Sequence, residues 1–206
     1  MTTEAGPRKG GRYLTSIALD SNPTLFFIDL HNRYWGTVNT SPLRCEEFLG
    51  LEHQGTDTLV THYVFESSLD RVHMEQRILP ADTLIKKQVI DSIQRFFDGA
   101  SLFFLARSML HSNTLLVAPT MIDMELLSTD IHFTDSVASV SIGALDDEIE
   151  TKEIRGQAHF GGKTFGGFSG EFRGWFSNDP ASVPIRAEMT ITLGTVVIEL
   201  EEWNRP

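Results

Sequence analysis

The stretch His159–Phe176, HFGGKTFGGFSGEFRGWF, admits three readings, and the fold turns on which one holds. Gly161-Gly162-Lys163-Thr164 has the tail of a phosphate-binding loop. Gly167-Phe168-Ser169-Gly170 has most of a nucleophile elbow. A phosphate loop needs a glycine, four residues and then Gly-Lys-Ser/Thr between a strand and a helix, so that backbone amides cradle the phosphates. Here five residues separate Gly156 from Gly162, and the FGGFSGEFRGWF that follows is a poor helix former. The elbow needs Gly-x-Ser-x-Gly on a strand-to-helix turn. After Ser169 the second glycine comes one position early, and strand follows.

The third reading fits. Phe168, Gly170, Phe172, Gly174 and Phe176 fall on one face of a strand, with Ser169, Glu171, Arg173 and Trp175 on the other. Glycine inside a strand permits a sharp bend or a close approach. The stretch is therefore expected to be a loop over Gly161–Gly167 and then a strongly bent strand.

Period two continues outward from there. Ile185, Ala187, Met189, Ile191 and Leu193 alternate with Arg186, Glu188, Thr190 and Thr192, and Val196, Ile198 and Leu200 form another inward row. Upstream, Leu59, Thr61, Tyr63 and Phe65 share a face, as do Ala138, Val140, Ile142 and Ala144. Tyr13–Leu19, Arg33–Asn39, Leu43–Leu49, Arg71–Arg77, Thr114–Pro119 and Met124–Phe133 also have strand character. Asp82–Phe97 is ambiguous between helix and strand. One segment differs: Asp98 stands where it can N-cap a helix, and Leu102, Phe103, Leu105, Ala106 and Met109 follow without a β-branched residue. Short turns force neighbouring strands to run antiparallel. The expectation is mainly β: a single antiparallel, strongly curved sheet or incomplete barrel of about ten strands wrapped around one central helix. Residues 1–11 are read as a flexible tail, and 12–206 as one domain.

Composition excludes several functions. The chain has 206 residues, 28 acidic against 17 basic, for a net charge of −11. Such a surface repels phosphate backbones and anionic lipid, so no nucleic-acid partner is expected. No apolar run approaches the length of a transmembrane helix. The single cysteine, Cys45, forms no internal disulfide and reads as a small buried side chain. The seven histidines lack close metal-ligand spacing, although His62 and His73 could meet across a hairpin. No metal, cofactor or catalytic residue is assigned.

Fourteen phenylalanines leave room for an apolar cavity. Phe103, Phe104, Phe168, Phe172 and Phe176, with Arg107, are the candidate lining for an apolar or lipid-like ligand. Trp35, Trp175 and Trp203 have polar neighbours and are candidates for a partner surface. Against this binding reading stand two others: a hydrolase or transferase using strand-borne carboxylates such as Glu171 or Glu188, and a purely structural assembly protein.

Three segments carry a family resemblance: DGASLFFLAR (Asp98–Arg107), GEFRGWFSNDPASVPIRAEMTITLGTVVIELEEW (Gly170–Trp203) and FFIDLHNRYWGTVNTSPLRCEEF (Phe26–Phe48). In this order they resemble the bacterial family catalogued as domain of unknown function 3108. The resemblance spans nearly all of Arg12–Trp203. It implies a mostly β envelope protein without an established activity, and it singles out Asp98, Ser101 and Arg107. The first two suit a capping network; Arg107 suits a buried ion pair or a ligand carboxylate. The family's signal peptide and first hairpin have no counterpart before Arg12. The chain is therefore expected to be truncated, mis-started or cytosolic, with an exposed sheet edge at residues 13–19 that offers a protein partner site.

Overall fold

Alternation does produce strands throughout. The computed structural model describes residues 2–8, 11–20, 31–143, 145, 147–159, 168–191 and 194–200; residues 2–8, 19, 168, 169 and 191 are described by backbone alone. Thirteen strands are described: β1 (Thr2–Arg8), β2 (Arg12–Asp20), β3 (His31–Thr40), β4 (Leu43–Gln54), β5 (Asp57–Glu66), β6 (Arg71–Leu79), β7 (Thr83–Ile90), β8 (Leu115–Ile122), β9 (Glu125–Val140), β10 (Ile149–His159), β11 (Phe168–Ser177), β12 (Pro184–Ile191) and β13 (Gly194–Glu199). Helix α1 (Gly99–Met109) lies between β7 and β8. The first residues of the Phe26–Phe48 segment, up to Leu30, the Gly161–Gly167 loop and Trp203 lie outside the described residues.

The mainly β, antiparallel expectation holds, but the strands form two sheets rather than one. The first has seven strands in the order β1-β2-β3-β4-β5-β6-β7; the second has six in the order β13-β12-β11-β10-β9-β8. Among the described residues neither closes into a barrel: β1 and β7 end the first sheet, and β13 and β8 end the second. Each sheet is a meander, as short turns dictate. The meander breaks after β7, where Ile93, Phe96 and Phe97 turn inward and α1 begins. Period two shows which side chains face a core but not which strands share a ladder, and so this break is invisible in the pattern.

The chain divides into two units. Unit 1 comprises Met1–Leu102 with Thr120–Leu126, and unit 2 comprises Phe103–Pro119 with Leu127–Pro206. The single domain expected over 12–206 takes in parts of both units. Within the stretch expected to be a flexible tail, Thr2–Arg8 is strand: β1 pairs with β2 from Thr2↔Ala18 to Arg8↔Arg12. Backbone pairing does not require apolar side chains, and Pro7 is tolerated on an outermost strand. Strand β2 therefore has both edges paired, by β1 and β3, and the proposed exposed edge at 13–19 does not exist. Asp82–Phe97 resolves into β7 and an inward-turning connection. Val137–Val140 continues β9 instead of starting a new strand.

The core of unit 1 gathers Cys45, Phe48, Tyr63, Phe65, Val72, Met74, Ile93, Phe96, Met121 and Met124, with Tyr34 and Ile90 packed on it. In unit 2, Ile142, Ile149 and Ile185 form a smaller cluster with Val140, Leu145, Val183 and Leu200 against it.

Candidate functional site

Register places a polar group on the inward face of the seven-stranded sheet. Asn32 lies opposite Glu52, and Tyr34 opposite Gly50. Gly50 in turn faces Thr61, and Thr61 faces Gln76. Because side chains alternate, these residues share the face of Phe48, Tyr63 and Met74. One end of that face is apolar and aromatic. Tyr34 stacks on Phe48 at 6.0 Å and Phe48 on Tyr63 at 5.1 Å, and Phe96 meets Tyr63 and Phe65 edge-on. A Cβ at Gly50 would meet the Phe48 and Tyr34 rings at 3.2 Å, so only glycine leaves the stack undisturbed.

The other end is hydrogen-bonded. The Tyr34 hydroxyl donates to Glu52 Oε1 at 3.1 Å, and Asn32 Nδ2 donates to the Tyr34 oxygen at 3.0 Å. Gln76 Nε2 donates to Thr61 Oγ1 at 3.1 Å and to Asp123 Oδ1 at 3.3 Å. Asn32 is buried, and among the described residues its Oδ1 has no hydrogen-bond partner. Buried polar atoms are nearly always paired, so this oxygen calls for an explanation.

Asp123 arrives on the tip of the β8–β9 hairpin, where Asp123 and Met124 have φ of 47° and 61°. Two consecutive left-handed residues make the tight turn that usually needs Asn-Gly. A methionine there costs about 1–3 kcal/mol. It is held because its side chain is fully buried and its N–H donates to the Tyr63 hydroxyl at 3.0 Å.

The electrostatics follow from burial. Desolvation pushes the Glu52 carboxyl above its ordinary range; the Tyr34 hydrogen bond opposes this and the Asp123 charge adds to it. Burial also raises both phenols, with Glu52 adding to the effect at Tyr34, so both stay protonated: Tyr34 donates to Glu52, and Tyr63 accepts from the Met124 N–H. The unused capacity of the cluster is mainly acceptors, Asn32 Oδ1 and the remaining carboxylate oxygens, beside two donors, the second Asn32 N–H and the Thr61 hydroxyl.

Asp98 and Ser101 form a reciprocal cap. Asp98 Oδ1 accepts from Ala100 N at 2.8 Å and Ser101 N at 3.0 Å, and Asp98 N donates to Ser101 Oγ at 2.7 Å. The Asp-x-x-Ser motif is thus a capping box with serine in the third helical position. Gly36 lies against the cap: a Cβ there would make ordinary contact with Asp98 Oδ2 at 3.4 Å but would crowd Thr15 Oγ1 at 2.8 Å. The neighbouring Cys45 thiol is buried and donates to the Glu47 carbonyl. Burial, and then the Asp98 carboxylate, push that thiol well above its ordinary range, which disfavours the thiolate. Arg107 is not part of this group. It donates to the Ala181 carbonyl at 2.7 Å, lies over Phe104, and makes no ion pair among the described residues.

The candidate lining, Trp175 and the strand-borne carboxylates singled out in the sequence belong to unit 2. Phe172 lies across Gly156, whose Cβ would fall 2.0 Å from its ring, and Phe176 is buried. Both act as packing. Phe103 and Phe104 are half-buried on α1, and the Phe168 side chain lies outside the description. Trp175 is buried beneath Arg173 and Arg186, whose guanidinium groups lie 4.9 and 5.8 Å from its ring centre. Glu188 pairs with Arg186 at 2.7 Å, and Glu153 takes hydrogen bonds from Arg155 and Arg173. Burial alone would raise the Glu153 carboxyl, but the two arginines outweigh it and hold it below the ordinary range. Glu171 is exposed. These carboxylates serve ion pairs or face solvent. His62 and His73 do not meet at a metal either: each pairs with a carboxylate, Glu47 and Glu66 respectively. Among the described residues, no group of three or more His, Cys, Asp or Glu side chains is placed to hold a metal.

The Asn32–Tyr34–Glu52–Gln76–Asp123 cluster was missed from sequence. Its one legible signal was polar residues in the inward phase of strands, such as Glu52 in the row Phe48, Gly50, Glu52.

The fold and cluster define a mainly β protein of two antiparallel-sheet units, with no helix among the described residues long and apolar enough to cross a membrane. No protein-family model matches the chain, and no curated protein matches it. Among solved structures, the chain is similar to a beta-barrel-like protein of domain of unknown function 1849 from Brucella abortus. The TM-score is 0.41 at 6% identity, over 91% of this chain and 86% of that one.

Proposed function

We propose that the chain is a non-catalytic binding domain whose ligand docks at the polar end of the unit 1 face. One observation carries the proposal: the buried, unpartnered Asn32 Oδ1 beside the half-buried Glu52 carboxyl. An orphaned acceptor costs about 1–3 kcal/mol, and a ligand donor relieves that cost. The resemblance to the domain of unknown function 3108 family extends the proposal to an envelope-associated protein. The ligand is small and carries hydrogen-bond donors; an apolar portion would suit the aromatic end of the same face. The lining first suggested around Phe172 and Phe176 is occupied by packing.

A second reading has a specific observation in its favour. Glu52, raised by burial and by the Asp123 charge, is a possible general acid, with Asp123 as its base. No nucleophile accompanies the pair, so binding is preferred.

A thermal-shift panel of amines, polyols and short amphiphiles tests the proposal on the full chain, on Asn32→Leu and on Asp123→Asn. At least one class should stabilise the parent and lose its effect in both variants. Equal shifts in all three proteins, or none, refute a site at this cluster. Bound compounds recovered unchanged support binding; turnover abolished by Glu52→Gln supports the acid–base reading.

A further inference from the structure

We infer that this cluster recognises an organic ammonium group, with Asn32 Oδ1 and Glu52 accepting its N–H donors and Asp123 supplying a second negative charge. The inference rests on the binding reading above and deepens it.

Acceptors outnumber donors among the free groups. The Asn32 amide is oriented by Nδ2, which donates to Tyr34, and this leaves Oδ1 unpaired beside the Tyr34–Glu52 hydrogen bond. Glu52 lies opposite Asn32 across the β3–β4 ladder, so the two side chains converge. Each carboxylate takes one side-chain hydrogen bond among the described residues, from Tyr34 and Gln76 respectively. A ligand that supplied only acceptors would leave Asn32 Oδ1 and the carboxylate oxygens unsatisfied. An anion would meet two carboxylates on a chain of net charge −11. A divalent ion needs six or more oxygens with several carboxylates, and this cluster has two. An ammonium group needs fewer partners, and its N–H donors are directional. Binding also lifts the desolvation cost of an ionised Glu52.

Isothermal titration at pH 7 and low salt with n-butylammonium, tetramethylammonium and calcium chlorides tests the inference. Saturable binding of n-butylammonium is expected, weakened about tenfold or more in Asn32→Leu and in Asp123→Asn. Tetramethylammonium carries charge without N–H donors and should not saturate. Equal binding of both cations overturns donor recognition, and calcium binding without n-butylammonium binding overturns the ammonium assignment. If n-butylammonium fails while other panel compounds bind in an Asn32-dependent way, this inference falls and the binding reading stands. If the whole panel fails as well, both fall.

Discussion

Replacing Asp98 is the sharpest test of how unit 1 is held together. Asp98→Ala removes the acceptor of three hydrogen bonds, from Ala100 N, Ser101 N and Ser101 Oγ. An ordinary N-cap is worth about 1–2 kcal/mol. This cap is 1% exposed, so water cannot replace the lost acceptor. The Ser101 hydroxyl can turn to the Asp98 carbonyl 3.1 Å away, but the two amides are stranded. At about 1–3 kcal/mol for each stranded donor, the substitution costs about 2–5 kcal/mol. Asp98→Asn keeps Oδ1 for both amides and offers its NH2 to Ser101 Oγ, so its cost is about 1 kcal/mol. With a urea m-value of about 2 kcal/mol/M, the midpoint falls by about 1–2.5 M for alanine and by about 0.5 M for asparagine. Urea titration followed by circular dichroism reads both, and the asparagine variant keeps the test informative if the alanine variant does not fold. Equal losses for the two variants, or an alanine loss under about 1 kcal/mol, refute the capping account.

Three further outcomes are expected. Glu52→Gln should raise the thermal midpoint at pH 7, because only the folded state bears the desolvation of the ionised carboxylate. The gain should fade as pH falls to the ordinary carboxyl value of 4.5 and below, where the unfolded chain's Glu52 is neutral too; a pH-independent gain contradicts this. Glu153→Gln has the opposite sign. Its carboxyl is depressed, so the substitution should cost about 1–2 kcal/mol at pH 7, with the loss shrinking as pH drops through the folded-state value in thermal scans. Among glycines, Gly99→Ala meets no atom within 4 Å and should stabilise by about 0.5–1 kcal/mol. Gly170→Ala, at φ +95° with the Ala158 carbonyl oxygen 2.1 Å from the new Cβ, should cost more than about 2 kcal/mol in urea titrations.

Strand content was legible because half-buried strands write their two faces into alternate residues. The row Leu59, Thr61, Tyr63, Phe65 and the row from Ile185 both lie in the strands expected of them. The cap was legible because Asp98 precedes an apolar run with no β-branched residue. The division into two sheets was not, since alternation carries no record of ladder partners; nor was β1, whose pairing is made by backbone alone. The candidate site lay deeper still. Asn32, Glu52 and Gln76 are adjacent only through the register of β3–β6. Asp123 reaches them from a hairpin tip with two left-handed residues and no glycine, a turn that no local signal announced.

The most direct test of the central claim is a 1H–15N NMR titration of the full chain with n-butylammonium, following the Asn32 side-chain amide. The account predicts saturable shifts of that amide and of the backbone amides of Gly50, Glu52 and Asp123, with the unit 2 amides still. Non-saturating shifts scattered over the acidic surface, or none at Asn32, would contradict it.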